Sequence, residues 1–198
     1  MKKIIKKFIN IVFFLAIITP ASAIENKILK IGNNKAKITV KVFSSLTCPH
    51  CANFHNKIFK NLKLEYIDEK KVKFEHHSFP LDLAALNAEK ILRCTENIDT
   101  SFNLLSEIYL KQEEWAVGSD IKKINESIIK IGTKFNLSKK AMNKCLENEK
   151  IQEQILTERI DAQKKYKISS TPTIYINEKK YEGKHEFKNF KKQIDKLL

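Results

Sequence analysis

Residues 38–59 read ITVKVFSSLTCPHCANFHNKIF and join a strand pattern, a cysteine pair and a helix pattern. Apolar and polar residues alternate over 38–43, which indicates a strand that enters a hydrophobic core. The CPHC motif at 48–51 follows it. Beyond the motif, apolar residues recur at helical spacing, namely Phe54, Ile58 and Leu62. These patterns predict a core strand followed by a CxxC motif at the N-terminus of an amphipathic helix.

The two cysteines of this motif favour thiol–disulfide exchange. Cys48 and Cys51 can close a small disulfide ring, and the free N–H groups and dipole of a helix N-terminus stabilise a thiolate. A lowered thiol pKa makes Cys48 a nucleophile and a good leaving group. Pro49 fits the first helical turn without wasting an N–H, and His50 can place a cationic or hydrogen-bonding ring near Cys48. We therefore predict these four residues to be catalytic.

The motif has two other interpretations, half of a zinc site and an inert structural bridge. A zinc site would require a second pair of soft ligands at comparable spacing. The sequence has no second CxxC, Cys94 and Cys145 lie far apart, and the His76-His77 pair is a poor substitute. We predict that the protein holds no metal and that His76 and His77 lie at the surface, at the end of a strand.

The rest of the chain alternates between strand and helix patterns. A second strand at 71–76 follows the CPHC helix, and a strand–helix–strand succession implies a parallel pair. From about 83 to 165 the pattern is helical, with Trp115 in the core of that region. Strand character returns at 173–176, a hairpin follows, and a last helix turns apolar residues inward, namely Phe187, Phe190, Ile194 and Leu197.

Residues 1–23 have the features of a secretory signal. Lysines precede an apolar run, and residues 21–23 (Ala-Ser-Ala) are the small residues that a signal peptidase requires. We expect cleavage before Ile24, with an uncleaved membrane anchor as the alternative. Since export lets disulfides persist, we predict a structural disulfide between Cys94 and Cys145. Two buried free cysteines are the alternative.

The chain is strongly basic, with a formal net charge of +14. The signal segment has four lysines and no acid, which leaves +10 on residues 24–198. The lysines are scattered rather than gathered into a stripe with interleaved aromatic residues, so a nucleic-acid partner is not expected. We interpret most of the charge as a solvated surface that is useful near anionic lipids.

The CPHC motif at 48–51, the segment Ile168–Thr173 and the hairpin leading to Gly183 together resemble the DsbA family of exported thiol–disulfide oxidoreductases. The resemblance extends from Ile38 to Leu198. It implies an α/β thioredoxin fold, a central mixed sheet flanked by helices, interrupted by an all-helical insertion. We predict the thioredoxin-like domain to comprise 24–82 and 159–198, and the insertion to comprise 83–158.

The resemblance also implies roles and partners. Cys48 would be the exposed, attacked cysteine and Cys51 the resolving thiol, while a cis Thr171-Pro172 bond would form a loop that binds substrate backbone. The protein would donate its disulfide to unfolded exported proteins in the periplasm, without a further cofactor. A DsbB-type membrane quinone reductase would reoxidise it. Only residues 24–37 precede the first core strand, too few for the dimerisation domain of DsbC-type isomerases, so we expect a monomer.

Three positions depart from the best-known enterobacterial members of the family. Thr171 replaces their valine, and His55 and Val42 stand where they have acidic residues. We expect His55 to be an exposed helical histidine, with a role in proton transfer as the alternative. The departures leave open a disulfide isomerase or reductase that is kept reduced. A thioredoxin-fold chaperone or metal-binding module without turnover is a further alternative.

Overall fold

The computed structural model describes residues 28–198, so the predicted signal peptide and its cleavage site lie outside the described residues. Five strands form one sheet in the order β1-β3-β2-β4-β5. β2 and β3 are parallel, as the strand–helix–strand pattern predicts, and the other neighbours are antiparallel. The strands are Leu29–Gly32 (β1), Ile38–Ser44 (β2), Val72–Ser78 (β3), Thr173–Ile176 (β4) and Lys179–Lys180 (β5).

The edge strand β1 is an element that the sequence pattern did not predict. It has four residues, of which only Leu29 is buried, so it lacks the repeated alternation that marks a strand. Gly32 ends it with φ of 101°, and a Cβ there would lie 2.5 Å from the carbonyl oxygen of Val72. Glycine at this position therefore allows the close approach of β1 to β3.

One continuous helical segment carries the CPHC motif. It comprises α1 (Pro49–Phe54), a π-helical turn (His55–Phe59), α2 (Lys60–Leu62) and a second π-helical turn (Lys63–Ile67). Its buried face contains the residues that the helical spacing predicted, namely Phe54, Ile58 and Leu62. The segment packs its apolar face on the sheet and presents its N-terminus at the end of β2.

Six helices separate β3 from β4, and no strand lies between those two strands. Trp115 is 1 % exposed, which confirms its place in the core of this region. Ser138 caps a helix by accepting a hydrogen bond from the amide of Ala141. The helices are Leu83–Leu92 (α3), Ile98–Leu110 (α4), Gln112–Trp115 (α5), Ile121–Thr133 (α6), Lys139–Glu147 (α7) and Glu149–Tyr166 (α8).

The chain closes with the β4–β5 hairpin and the helix Phe187–Asp195 (α9), which buries Phe190 and Ile194. The predicted architecture, a mixed sheet flanked by helices and interrupted by an all-helical insertion, is confirmed. α8 runs without a break across residues 158 and 159, where the sequence analysis placed a domain boundary. Cys94, just after α3, is joined to Cys145 of α7 by a disulfide.

The prediction that His76 and His77 lie at the surface is wrong. Their exposed fractions are 2 % and 7 %, because α3 and α8 cover the end of β3. His76 Nε2 lies 2.8 Å from Glu89 Oε1, and His77 Nε2 lies 3.1 Å from Glu75 Oε2. Carboxylates opposite both rings compensate for the loss of water, which a strand pattern alone does not reveal.

A buried ionic cluster continues from these histidines into the insertion. The Ser78 hydroxyl donates to Glu89 Oε2 at 2.8 Å and accepts from Arg93 Nη2 at 2.9 Å. Glu158 of α8 pairs with Arg93 and also accepts from the Ser78 amide at 2.8 Å. This cluster, formed by His76, Ser78, Glu89, Arg93 and Glu158, connects β3 to α3 and α8.

Candidate active site

The CPHC motif lies just after the end of β2, at the N-terminus of the helical segment 49–67, which is called the active-site helix below. Cys48 is the N-cap residue, with extended backbone (φ −80°, ψ 119°), and Pro49 occupies the first helical turn. The amides of Cys51 and Ala52 donate to the Cys48 carbonyl oxygen at 3.0 and 3.1 Å. The sulfurs of Cys48 and Cys51 are both thiols here, so the site is described in its reduced form.

The two thiols differ in acidity. The pKa of Cys48 is lowered to about 5, first by a hydrogen bond from the Cys51 thiol, and further by Thr171 and the backbone amides of Cys51 and His50, while burial opposes the shift. The pKa of Cys51 is raised, chiefly by burial and also by the neighbouring Cys48. Near neutral pH the site therefore holds a thiolate at Cys48 and a thiol at Cys51.

Accessibility favours Cys48 by a small margin. Its side chain is 7 % exposed, compared with 1 % for Cys51. The expectation of an exposed Cys48 is therefore wrong for the reduced protein, in which this residue is buried. Of the two cysteines, Cys48 is the more accessible to a reacting partner.

The loop before β4 faces the cysteines. The Thr171–Pro172 peptide bond is cis. In its protonated form the Cys48 thiol donates to the Thr171 carbonyl oxygen at 3.4 Å. The Thr171 hydroxyl is buried and has no hydrogen-bond partner of normal geometry among residues 28–198. The structure thus brings together Cys48, Cys51, Thr171 and Pro172, which lie far apart in the sequence.

His50 and His185 lie on the exposed side of the motif. The His50 side chain is exposed, and its backbone amide contributes to the low pKa of Cys48. The pKa of His185 is lowered by burial and by the charge of the nearby His50. A contribution of the His50 ring to thiolate stability remains a prediction.

Gln112 of α5 supports the active-site loop, and the sequence analysis did not identify it. Its side chain is 6 % exposed and its Nε2 donates to the carbonyl oxygens of Leu46 (2.7 Å) and Cys48 (3.1 Å). The insertion therefore fixes the backbone on both sides of Thr47. Since Gln112 lies in the polar segment QEEW, no apolar pattern or motif signals its burial.

The expectation that His55 is exposed is wrong, because its side chain is 4 % exposed. Its ring stacks on Phe59 and packs against Tyr109 at centroid distances of 4.3 and 4.9 Å. Its Nε2 lies 2.8 Å from Ser106 Oγ. Burial and the nearby His76 lower its pKa to about 3, so the ring is neutral near pH 7. Helix α4 covers this face of the active-site helix, and helical spacing alone cannot reveal such a contact.

Metal-ligand clusters and membrane-spanning helices are both absent from the part of the chain that the structure describes. Residues 28–198 contain no group of three or more histidine, cysteine, aspartate or glutamate side chains arranged to hold a metal ion. None of the helices within that range is long and apolar enough to span a bilayer.

Comparisons with known proteins point to one family. The family model described as "Thioredoxin" matches residues 25–196. A Rickettsia bellii relative, provisionally named a protein-disulfide oxidoreductase, is 32 % identical over 176 residues, which are 88 % of this chain and 66 % of the relative. Disulfide bond formation protein D of Bacillus subtilis is 28 % identical, over 85 % of this chain and 76 % of the relative.

Solved structures agree with these sequence relatives. The crystal structure of Wolbachia pipientis alpha-DsbA1 superimposes with a TM-score of 0.79 and 30 % identity, over 86 % of this chain and 90 % of that one. The chain spans 62–66 % of the length of the rickettsial relatives that it matches, slightly less than two thirds.

Proposed function

Because this chain belongs to the thioredoxin family, in its DsbA group, we propose that it is an enzyme that oxidises thiols of other proteins with a Cys48–Cys51 disulfide. The observation that carries the proposal is the contrast between the two cysteines. Cys48 is the more accessible and has a pKa near 5, whereas Cys51 is buried with a raised pKa. A disulfide that leaves behind a stable Cys48 thiolate is a strong oxidant.

The proposed reaction has two exchange steps. A substrate thiolate attacks the Cys48 sulfur of the oxidised enzyme, forming a mixed disulfide, and Cys51 leaves as a thiolate that takes up a proton. A second substrate thiolate then attacks the substrate sulfur of the mixed disulfide, and Cys48 leaves as a thiolate. The substrate gains one disulfide and loses two electrons, which reduce the enzyme's disulfide to the dithiol. No further cofactor takes part.

The Thr171–Pro172 loop would bind the substrate beside the reacting sulfur. The Thr171 carbonyl oxygen is 3.4 Å from Cys48 Sγ, so a peptide bound along this loop would place its cysteine within reach of Cys48. Pro49 and His50 would hold the helix N-terminus and its amides toward the same sulfur. We assign Thr171 and Pro172 to substrate binding on this basis.

The setting of the reaction is also part of the proposal. An oxidising compartment such as the periplasm would keep the Cys94–Cys145 disulfide formed and supply unfolded exported proteins as substrates. Each turnover leaves the enzyme reduced, so a second protein must reoxidise it. A DsbB-type membrane quinone reductase would serve this purpose, and the enzyme would act as a monomer.

A peptide with two cysteines tests the proposal. The oxidised protein should convert the reduced peptide to its disulfide, and Cys48→Ala should abolish the reaction. Reduced Cys51→Ala, mixed with the oxidised peptide, should stop at a mixed disulfide on Cys48, visible by mass spectrometry. If Cys48→Ala oxidises the peptide as fast as the wild type, the assignment of Cys48 is incorrect.

A further inference from the structure

Residues 179–198 carry a large share of the protein's excess positive charge. They contain seven lysines and three acidic residues, a net charge of +4 out of the +10 on residues 24–198. They form strand β5, the turn after it and helix α9. The excess charge is therefore concentrated in one part of the fold.

Six of the seven lysines are exposed, and none of the six has an ion-pair partner among residues 28–198. The seventh, Lys191, pairs with Glu65 of the active-site helix. We call the six the basic face, and they are Lys179, Lys180, Lys184, Lys188, Lys192 and Lys196. Their ammonium groups are free to bind a partner from solution.

The basic face has two parts that meet at a cleft. Lys188, Lys192 and Lys196 recur every four residues, so they form one stripe along α9. Phe190 and Ile194 are buried on the other side of that helix. The three lysines of the hairpin and turn, together with Lys188, line a cleft of about 870 Å³ between β5 and α9. Cationic side chains thus surround an open cleft and continue from it along a helix.

Nearby carboxylates neutralise only part of this charge. Glu178, which also lines the cleft, is paired with Lys41 at 2.6 Å. Glu182 and Glu186 line the cleft as well, and Asp195 lies on α9. Six unpaired lysines are therefore opposed by three carboxylates. An excess of this size attracts an anionic partner.

We propose that the basic face docks the protein on a lipid bilayer that contains anionic phospholipids. This inference goes beyond the proposed reaction and does not depend on it. Clusters of about four to eight lysines on an amphipathic helix bind anionic lipid surfaces, and each lysine near the surface strengthens binding roughly fivefold. Because the cleft is open, headgroup phosphates can also enter between the lysines of the hairpin and Lys188.

The chemistry of the basic face favours a bilayer over an acidic protein. Residues 179–198 contain no arginine, the side chain that pairs with carboxylates in a fixed bidentate geometry. Lysine is a hydrated point charge on a flexible stem, which suits a fluid layer of anions. The stripe on α9 is roughly 12 Å long at 1.5 Å per residue. Since the apolar side of α9 packs inward, the attraction is electrostatic and needs no insertion of the helix.

The basic face lies next to the active-site helix. Helix α9 packs on residues 55–62, and the rings of Phe190 and Phe54 are 5.7 Å apart. His185, between the hairpin and α9, packs edge-on against Phe54 at 6.4 Å. Docking would therefore bring the CPHC helix close to the bilayer. A membrane-bound reoxidant would lie there, a consequence that rests on the proposed function although the docking itself does not.

Vesicle co-sedimentation tests the inference with the mature protein. The vesicles contain phosphatidylcholine alone or an equimolar mixture of phosphatidylcholine and phosphatidylglycerol. The protein should sediment with the anionic vesicles at about 50 mM salt and be released at about 500 mM, because salt screens exposed charges. It should stay in solution with phosphatidylcholine alone. A wild-type protein that does not bind the anionic vesicles at low salt would overturn the inference.

Two triple variants locate the binding on the basic face. Lys188→Gln/Lys192→Gln/Lys196→Gln removes the stripe and should weaken vesicle binding roughly 100-fold. A second variant replaces the three lysines of the hairpin and turn with glutamine and should weaken binding to a similar extent: Lys179→Gln/Lys180→Gln/Lys184→Gln. All six side chains are exposed, and urea denaturation checks that both variants are folded. Full binding by either variant would overturn the inference.

Lys139→Gln/Lys140→Gln/Lys144→Gln is the matched control. It removes the same charge from α7, where all three lysines are exposed and have no ion-pair partner among residues 28–198. Helix α7 packs on α3 and α6, away from α9. The control should weaken binding by about fivefold or less. A loss equal to that of the α9 variant would mean that only the total charge matters, which would overturn the inference.

Two competitors distinguish the bilayer from other anions. At equal ionic strength, sodium phosphate and sodium chloride should release the protein from anionic vesicles equally. Stronger release by phosphate would indicate a site for the free ion and would overturn the docking. Polyglutamate represents an acidic protein, and tighter binding to it than to the vesicles would overturn the choice of a bilayer. Failure of the protein to oxidise peptides would affect the proposed function alone, because sedimentation does not measure turnover.

Discussion

The acidity of Cys48 comes mainly from a single neighbour. The hydrogen bond from the Cys51 thiol contributes more to its low pKa than Thr171 or the helix amides do. Cys51 thus acts before any exchange takes place, by keeping its partner ionised. Cys51 is therefore the hydrogen-bond donor and Cys48 the acceptor, in addition to their roles in the redox reaction.

Replacement of Cys51 tests this dependence. Because the lost thiol donor is the largest cause of the shift, Cys51→Ala should raise the pKa of Cys48 from about 5 toward its ordinary value. The Cys48 thiolate, normally present above pH 5, would then form only at higher pH. Cys51→Ser keeps a donor and should retain part of the shift. Absorbance at 240 nm during a pH titration measures both variants, and equal titrations for Ala and Ser would contradict this assignment.

Gln112 offers a second prediction. Gln112→Met preserves the length of the side chain but removes both donors to the Leu46 and Cys48 carbonyl oxygens. We expect a loss of about 1–3 kcal/mol in the free energy of unfolding, measured by urea denaturation.

Gln152→Met is the matched control for this variant. Gln152 is only half-buried and accepts one hydrogen bond from Lys90 at 3.3 Å. Its replacement should cost about 0.5 kcal/mol or less. Equal losses in the two variants would show that the hydrogen bonds from Gln112 to the active-site loop add no more to the free energy of unfolding than the single bond of Gln152 does.

The elements were predictable to different degrees. β2, β3 and the CPHC helix follow from short-range periodicity, since Val40 and Phe54 occupy the apolar positions that the pattern requires. β1 did not follow, because four residues with one buried side chain give too little pattern. The prediction that His55 and His76 lie at the surface is wrong because later helices of the chain cover both side chains. Local spacing contains no information about such contacts.

The junction between β3 and the insertion depends on the buried ionic cluster. Glu158→Gln should destabilise the protein by roughly 3–5 kcal/mol, because Arg93 would be left buried without its charged partner. Glu107→Gln, which removes a partly exposed pair with Lys134, should cost about 1 kcal/mol or less. Urea denaturation at pH 7 compares the two. Similar losses would mean that the cluster does not stabilise the junction.

The molecule as a whole combines a thioredoxin sheet with a helical insertion whose residues reach the active site. The CPHC motif and the Thr171-Pro172 dipeptide were enough to predict the fold, while the reacting roles of Cys48 and Cys51 stay a prediction. Gln112 was not found, because it is an ordinary polar residue in a short helix and reaches the active site only through its hydrogen bonds to the Leu46 and Cys48 carbonyl oxygens.

The Cys94–Cys145 disulfide should stabilise this insertion. It closes a loop with a sequence separation of 51, so the double variant Cys94→Ala/Cys145→Ala should lose about 2–4 kcal/mol in the free energy of unfolding. Urea denaturation of both proteins without reductant measures the difference. An unchanged midpoint with an unchanged slope would contradict the expectation.

The redox equilibrium of the Cys48–Cys51 pair with glutathione, in protein that retains the Cys94–Cys145 disulfide, is the first measurement to make. A thiolate with a pKa near 5 makes the reduced form stable, so the potential should be far more oxidising than the roughly −270 mV of thioredoxin. A potential equal to or below that of thioredoxin would contradict the oxidase and indicate a reductase or isomerase.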